Sequence, residues 1–213
     1  QQHAVKFPHF VRQGPRSEDF VIDQVLDRLA DEAVDFIRTG AEGSAPLFLY
    51  LALTAPHKPA QPHARFRGKT GLGEYGDFVA QVDDTVGRVL TAIDAADIRD
   101  QTLVFYSSDN GSYMYRFDAP HRKDHIDDAT VQGYRSVRHR ANGPFRGTKA
   151  DIYEAGHHVP LLARWPGRTK PGTDCGTTVC LTDLFATCAE VAGATLDENM
   201  AEDSFSLVGM LRG

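Results

Sequence analysis

Four side chains have the type and the setting to handle an anion. Asp109 and Asn110 follow the apolar run Leu103-Val104-Phe105-Tyr106 through Ser107-Ser108. A short buried strand there delivers a carboxylate and an amide to the end of a sheet. In open α/β sheets, ligands bind outside the carboxyl ends of the strands. Carboxylate and amide oxygens suit a hard cation such as calcium or magnesium. The same tripeptide, Asp109-Asn110-Gly111, also suits a type I′ hairpin turn. Tyr113, Tyr115 and Phe117 then alternate as a returning strand would. On the residues alone, turn and ligand pair stand as even alternatives. His57 lies in Ala55-Pro56-His57-Lys58-Pro59, a proline-fixed turn at the end of another apolar run. A lone histidine is as often structural, but its place at a strand end between prolines raises the functional reading. Lys149 follows Gly143, Pro144 and Gly147, which bring a tight backbone up to it. It is either a compact positive charge for an anion or a surface lysine.

The elements that must carry these groups follow from periodicity. Ser17-Glu18-Asp19 reads as a helix start, with a capping residue and acids in the first turn. Ile22, Val25, Leu26, Leu29, Ala33, Phe36 and Ile37 then recur at spacings of three and four, and Thr39-Gly40 ends the helix. Residues 46–54, Pro-Leu-Phe-Leu-Tyr-Leu-Ala-Leu-Thr, read as a strand buried on both faces, as in a parallel sheet. Residues 60–73 read as a basic, solvated loop. Residues 74–96 form a second helix with Phe78, Val82, Val86, Val89, Leu90 and Ile93 as its stripe. Asp83 and Asp84 lie on its exposed side and do not read as a catalytic pair. Strand, helix and the 103–107 strand make a βαβ unit with a right-handed crossover.

Residues 112–146 are long, polar and aperiodic, with His121, His125 and His139 among several arginines. They read as either a disordered segment or a binding loop, and a wall for an anionic substrate is a better reading than a nucleic-acid patch because acids dilute the basic residues. Val159–Ala163 is a further short strand, ended by Trp165-Pro166-Gly167. Thr182 opens a helix with Leu184, Phe185, Cys188 and Val191 inward and Gly193 closing it. Residues 194–213 read as loop.

The chain has 213 residues, enough for one sizeable core. Its 23 basic and 29 acidic residues give a net charge of −6, which argues against a nucleic-acid or anionic-membrane partner. No apolar run approaches the ~18 residues of a membrane span, and no signal-peptide pattern opens the sequence. Three cysteines form no disulfide framework. They read as buried or free thiols, with Cys175 and Cys180 near enough in sequence to pair.

Taken together, Leu-Phe-Leu-Tyr-Leu-Ala-Leu-Thr-Ala-Pro-His-Lys-Pro (47–59), Tyr-Ser-Ser-Asp-Asn-Gly (106–111), His-Arg-Ala-Asn-Gly-Pro-Phe-Arg-Gly-Thr-Lys through Val-Pro (139–160) and Glu-Asp-Ser-Phe-Ser-Leu (202–207) resemble, in order and spacing, the type I sulfatases of the alkaline-phosphatase superfamily. The resemblance spans residues 46–208. It implies a three-layer α/β sandwich with a mostly parallel central sheet flanked by helices, here incomplete. It also implies roles. Asp109 and Asn110 match metal ligands, for Ca2+ or Mg2+. His57 matches the histidine that protonates the leaving alcohol, and Lys149 the lysine that binds a sulfate oxygen. His139, Arg140 and Asn142 fall where substrate contacts are expected. The family often has arginine at the position of His158 and glycine at that of Ala155.

The resemblance further implies a Cys-x-Pro-x-Arg or Ser-x-Pro-x-Arg segment whose first residue becomes formylglycine, the nucleophile. No cysteine or serine here has that context: after Ser44-Ala45-Pro46, Phe48 stands where arginine is needed. The family's paired aspartates are likewise unmatched in residues 1–45. The expectation is a single partial catalytic domain over residues 1–213, part of a sulfatase acting on small-molecule or carbohydrate sulfate esters and inactive alone. A periplasmic or secreted location follows from resemblance only. Two alternatives stand. A phosphodiester or phosphonate-ester hydrolase of the same superfamily usually has histidine after the aspartate, where Asn110 stands. A non-catalytic fragment that keeps the fold is the other.

Overall fold

The computed structural model describes residues 17–114 and 139–213. The loop reading of residues 1–16, and the 115–138 part of the pocket-wall reading, lie outside the described residues. Helix α1 is Val25–Ala41, preceded by a single 3-10 turn at Ile22–Gln24. It does not begin at Ser17, because the Ser17 hydroxyl bonds the Asp19 carboxylate instead of a helix N–H. It also runs through Gly40. The glycine is needed there for a neighbour rather than for an end: a Cβ would lie 2.4 Å from Leu47 Cδ2. Leu26, Ala30, Ala33 and Ile37 are buried, while Phe36 turns outward.

Helix α2, Gly73–Ala95, packs against α1. Tyr75, Phe78 and Val82 from α2, Leu26 from α1, Ala60, Tyr113 and Met114 form one core cluster, with Leu53, Ala55 and Ala141 against it. The core therefore lies directly beneath the segments that carry His57 and Asp109.

The connection at 60–73 is exposed over much of its length, as read, but it is anchored to both helices. Pro62 and Phe66 are buried. The Arg65 guanidinium forms a fork on Asp27 and reaches Asp84 at 3.1 Å. Arg67 pairs with Asp23 at 3.0 Å and donates to the Pro62 carbonyl. Gln81, fully buried, accepts from His63 N–H and donates to Asp27. Arg65 and Arg67 look unpaired in sequence because their acids lie on the two helices and on the turn before α1.

Strand β1, Val104–Ser107, pairs with β2, Leu161–Arg164, and the pairing is antiparallel, with Val104 opposite Arg164 and Ser107 opposite Leu161. This is a different pair from the two strands expected in the βαβ unit, residues 46–54 and 103–107. Among the described residues the sheet has two strands, and residues 46–54 join no ladder. Phe48 is 72% and Tyr50 83% exposed. A continuous apolar run announces burial on both faces but cannot name the covering element.

Three short helices follow: α3, Glu154–His157; α4, Asp183–Val191; and α5, Val208–Arg212. The inward face of α4 is polar, not the expected Leu184-Phe185-Val191 stripe. Asp183 accepts from Cys180 N–H at 2.7 Å and Phe205 N–H at 2.9 Å. The Thr187 hydroxyl accepts from Leu207 N–H at 2.9 Å. Residues 204–208 thus dock on α4, and α5 stands where loop was expected. Gly193, at φ 71°, closes α4 as read. Cys175, Cys180 and Cys188 are free thiols. Among the described residues no helix is long and apolar enough to cross a membrane.

Candidate functional site

The site is built around residues 109–114, immediately beyond β1. Ser107 Oγ donates to the Pro160 carbonyl at 2.9 Å, which ties the end of β1 to the start of β2. Ser108 Oγ then donates back to the Asn110 carbonyl at 2.9 Å, and Asn110 Nδ2 donates to the Gly111 carbonyl at 3.3 Å. With its N–H group so engaged, Asn110 keeps Oδ1 as the free end of its amide. The Asp109 carboxylate is exposed and has no ion-pair partner among the described residues.

Gly111 does not turn a hairpin. Its N–H donates to the Gly156 carbonyl at 3.0 Å, and a Cβ there would meet the Ala155 carbonyl oxygen at 1.6 Å. The chain is pinned against α3, and only glycine fits. The tripeptide is therefore a close backbone crossing, which leaves Asp109 and Asn110 as a pair at the strand end.

Lys149 arrives through the same crossing. Its N–H donates to the Ser112 carbonyl at 3.0 Å. The turn that contains it, 148–151, is closed by Asp151, whose carboxylate accepts from Thr148 N–H at 2.9 Å and whose own N–H donates to the Thr148 carbonyl at 3.0 Å. Gly156 must lack a side chain here as well, since a Cβ would lie 2.1 Å from the Asp151 carbonyl oxygen. The Lys149 ammonium pairs with no acid among the described residues.

His57 approaches from the other side. Its ring lies 6.1 Å from that of Tyr113, which in turn sits edge-on to Tyr75 at 5.7 Å. His57 Nδ1 is 2.7 Å from the Lys58 carbonyl. A carbonyl only accepts, so Nδ1 carries hydrogen and Nε2 is the position that exchanges a proton. Tyr113 is 5% exposed and its hydroxyl has no partner among the described residues; burial first, and Tyr75 second, push its ionisation upward. It is a neutral wall for the imidazole.

The structure thus brings His57, Asp109, Asn110 and Lys149 to one six-residue segment. Asn142 joins them, with its amide on Ser112. His139 and Arg140 are exposed and lie on the chain that leads to Asn142. His158 pairs with Glu154 at 2.7 Å and stacks on Phe145, away from Ser112. Sequence reasoning missed Ser112, Tyr113 and Tyr75. Ser112 contacts Tyr75, Met114, Asn142 and Lys149, and its one visible signal was its place directly after Asn-Gly. Among the described residues no group of three or more His, Cys, Asp or Glu could hold a metal ion. Asp109 and Asn110 supply at most three side-chain oxygens, fewer than the six to eight calcium takes.

The chain as a whole is similar to known proteins. The sulfatase family model matches residues 11–194, and the chain belongs to the sulfatase family. The N-acetylgalactosamine-6-O-sulfatase of Bacteroides thetaiotaomicron is 32% identical over 200 residues, covering 94% of this chain and 37% of that protein. The steryl-sulfatase of Mus musculus is 36% identical over 186 residues, covering 87% and 27%. A solved sulfatase from glycosaminoglycan metabolism in Bacteroides thetaiotaomicron superposes with a TM-score of 0.77 at 31% identity, covering 91% of this chain and 38% of that one. The chain shares the alkaline-phosphatase-like α/β fold of these structures. It spans well under half the length of the relatives it matches.

Proposed function

We propose that this chain forms one side of a sulfatase active site and that the complete site hydrolyses sulfate monoesters. The observation that carries this reading is the convergence of His57 and Lys149 on Ser112–Tyr113, directly after Asp109-Asn110. When the S–O bond breaks, the departing oxygen needs a proton, and His57 Nε2 supplies it. Nδ1, held on the Lys58 carbonyl, fixes the ring for that task. The Lys149 ammonium holds a sulfuryl oxygen as a point charge. Asp109 Oδ and Asn110 Oδ1 are the oxygens that would hold Ca2+ or Mg2+, and a bound hard cation there would offset charge on the sulfuryl oxygens. The nucleophile is a formylglycine from a Cys-x-Pro-x-Arg segment, which these 213 residues do not contain.

A sulfated carbohydrate is the substrate class, supported by the N-acetylgalactosamine-6-O-sulfatase relative, and a periplasmic or secreted location accompanies it. The test is an assay of aryl sulfate, aryl phosphodiester and aryl phosphonate ester. It uses a polypeptide in which these residues follow a Cys-x-Pro-x-Arg segment, with the 213-residue chain as control. Sulfate hydrolysis by the joined polypeptide, and none by the chain alone, is expected. Preference for the phosphodiester would assign the chain to the sister class, against which Asn110, where histidine is usual, speaks.

A further inference from the structure

The Asn142 side chain grips both the Asp109–Met114 segment and the lysine turn. Its Oδ1 accepts from Ser112 N–H at 2.7 Å, and its Nδ2 donates to the Ser112 carbonyl at 3.0 Å. The second N–H reaches the Gly147 carbonyl at 3.5 Å. Both backbone groups of Ser112 are therefore met by one amide, in the two-point manner of a neighbouring strand. The same Ser112 carbonyl receives Lys149 N–H at 3.0 Å. The close approach depends on Gly111, whose Cβ, if present, would stand 3.3 Å from Asn142 Oδ1.

This use of the amide leaves little for a ligand. Both N–H groups are engaged, and Oδ1 retains one lone pair. The orientation is also fixed, since a flipped amide would set N–H against N–H and oxygen against carbonyl oxygen. Asp109 and Asn110 sit three and two residues before Ser112, and Lys149 follows Gly147 by two. Holding Ser112 and Gly147 together sets the distance between the oxygen pair and the ammonium.

We propose that Asn142 is a positioning residue, which registers Asp109-Asn110 against Lys149 through the backbone of Ser112 and does not itself contact substrate. The clamp stands on geometry alone, and only its consequence for turnover rests on the sulfatase reading. Site-resolved amide hydrogen exchange on the 213-residue chain tests the clamp, with Asn142→Ala and Asn142→Asp. The aspartate keeps the acceptor for Ser112 N–H and loses the donor to its carbonyl. Asn142→Ala should speed exchange at Ser112 and Lys149 by ~10-fold or more while α1 and α2 keep their protection. Asn142→Asp sets a carboxylate oxygen against the Ser112 carbonyl, as the excluded flip would, and should leave Ser112 exchange fast; protection equal to that of the unsubstituted chain would overturn the two-point grip. Unchanged Ser112 exchange in Asn142→Ala, or a rise shared equally by α1 and α2, would overturn the clamp.

The catalytic consequence is read in the joined polypeptide. A positioning role lowers kcat by about 100-fold with KM nearly constant, since misplacement of about 1 Å has that effect. A rise in KM at constant kcat would mean direct substrate contact and would overturn the proposal. If the unsubstituted polypeptide leaves aryl sulfates intact, the sulfatase reading fails, and the exchange pattern still decides the clamp.

Discussion

The N–H of Lys149 donates to the carbonyl of Ser112 at 3.0 Å, so the lysine turn and the chain beyond Asp109-Asn110 share one backbone hydrogen bond. Around that bond Gly111 crosses α3 with no room for a side chain. Gly111→Ala would drive a methyl into the Ala155 carbonyl, 1.6 Å from the ideal Cβ position. A loss of about 3 kcal/mol is expected, at the upper end for overpacking. Gly87→Ala is the matched control: it lies within α2 with nothing inside 4 Å of its Cβ position. It should gain up to ~1 kcal/mol from helix propensity. Urea unfolding of both variants reads the contrast.

Asp77 governs the turn between Phe66 and α2. It is 3% exposed and accepts from Gly68 N–H at 2.6 Å, Thr70 N–H at 2.9 Å and Thr70 Oγ1 at 2.7 Å. Burial raises its pKa, but the bonds from Thr70 and Gly68 outweigh burial and hold it below the usual value of 3.8. The unfolded chain therefore binds this proton more readily than the folded one. The stabilisation is complete above pH 3.8 and is lost as pH falls through the lower folded pKa. Asp77→Ala should cost about 2 kcal/mol at pH 7. The gap from the unsubstituted chain should narrow below pH 3.8, as measured by urea unfolding across pH.

Phe48 and Tyr50, at 72% and 83% exposed, have little folded contact to lose. Phe48→Lys with Tyr50→Lys should shift unfolding stability by no more than about 0.5 kcal/mol. An open apolar run with free backbone groups invites self-association, so light scattering of the 213-residue chain should fall in the double variant.

Some of this architecture is legible in the amino-acid order and some is not. Helix α2 and strand β1 are local patterns, and both lie within two residues of where periodicity puts them. The partner of β1 is not local: Leu161–Arg164 is as apolar as residues 46–54, and nothing in either run specifies direction. Helix α4 misled because Asp183 and Thr187 bury their polar groups on Phe205 and Leu207 N–H, donors twenty or more residues away. Phe185 is 57% exposed in consequence. The candidate site was readable in its chemistry-bearing residues, His57, Asp109, Asn110 and Lys149. Its scaffold was not, because Ser112 works mainly through backbone groups, which carry no signature of their own.

The role of His57 separates the central claim from a purely structural reading. The direct measurement is kcat/KM for a series of sulfate esters with leaving groups of rising pKa, in the joined polypeptide with and without His57→Ala. Lys149→Ala serves as the comparison. Loss of a general acid should grow along the series, from less than about 10-fold with 4-nitrophenol to ~100-fold or more with an alkyl or sugar alcohol. Loss of Lys149 should be uniform. An equal effect of His57→Ala on every leaving group would contradict the account.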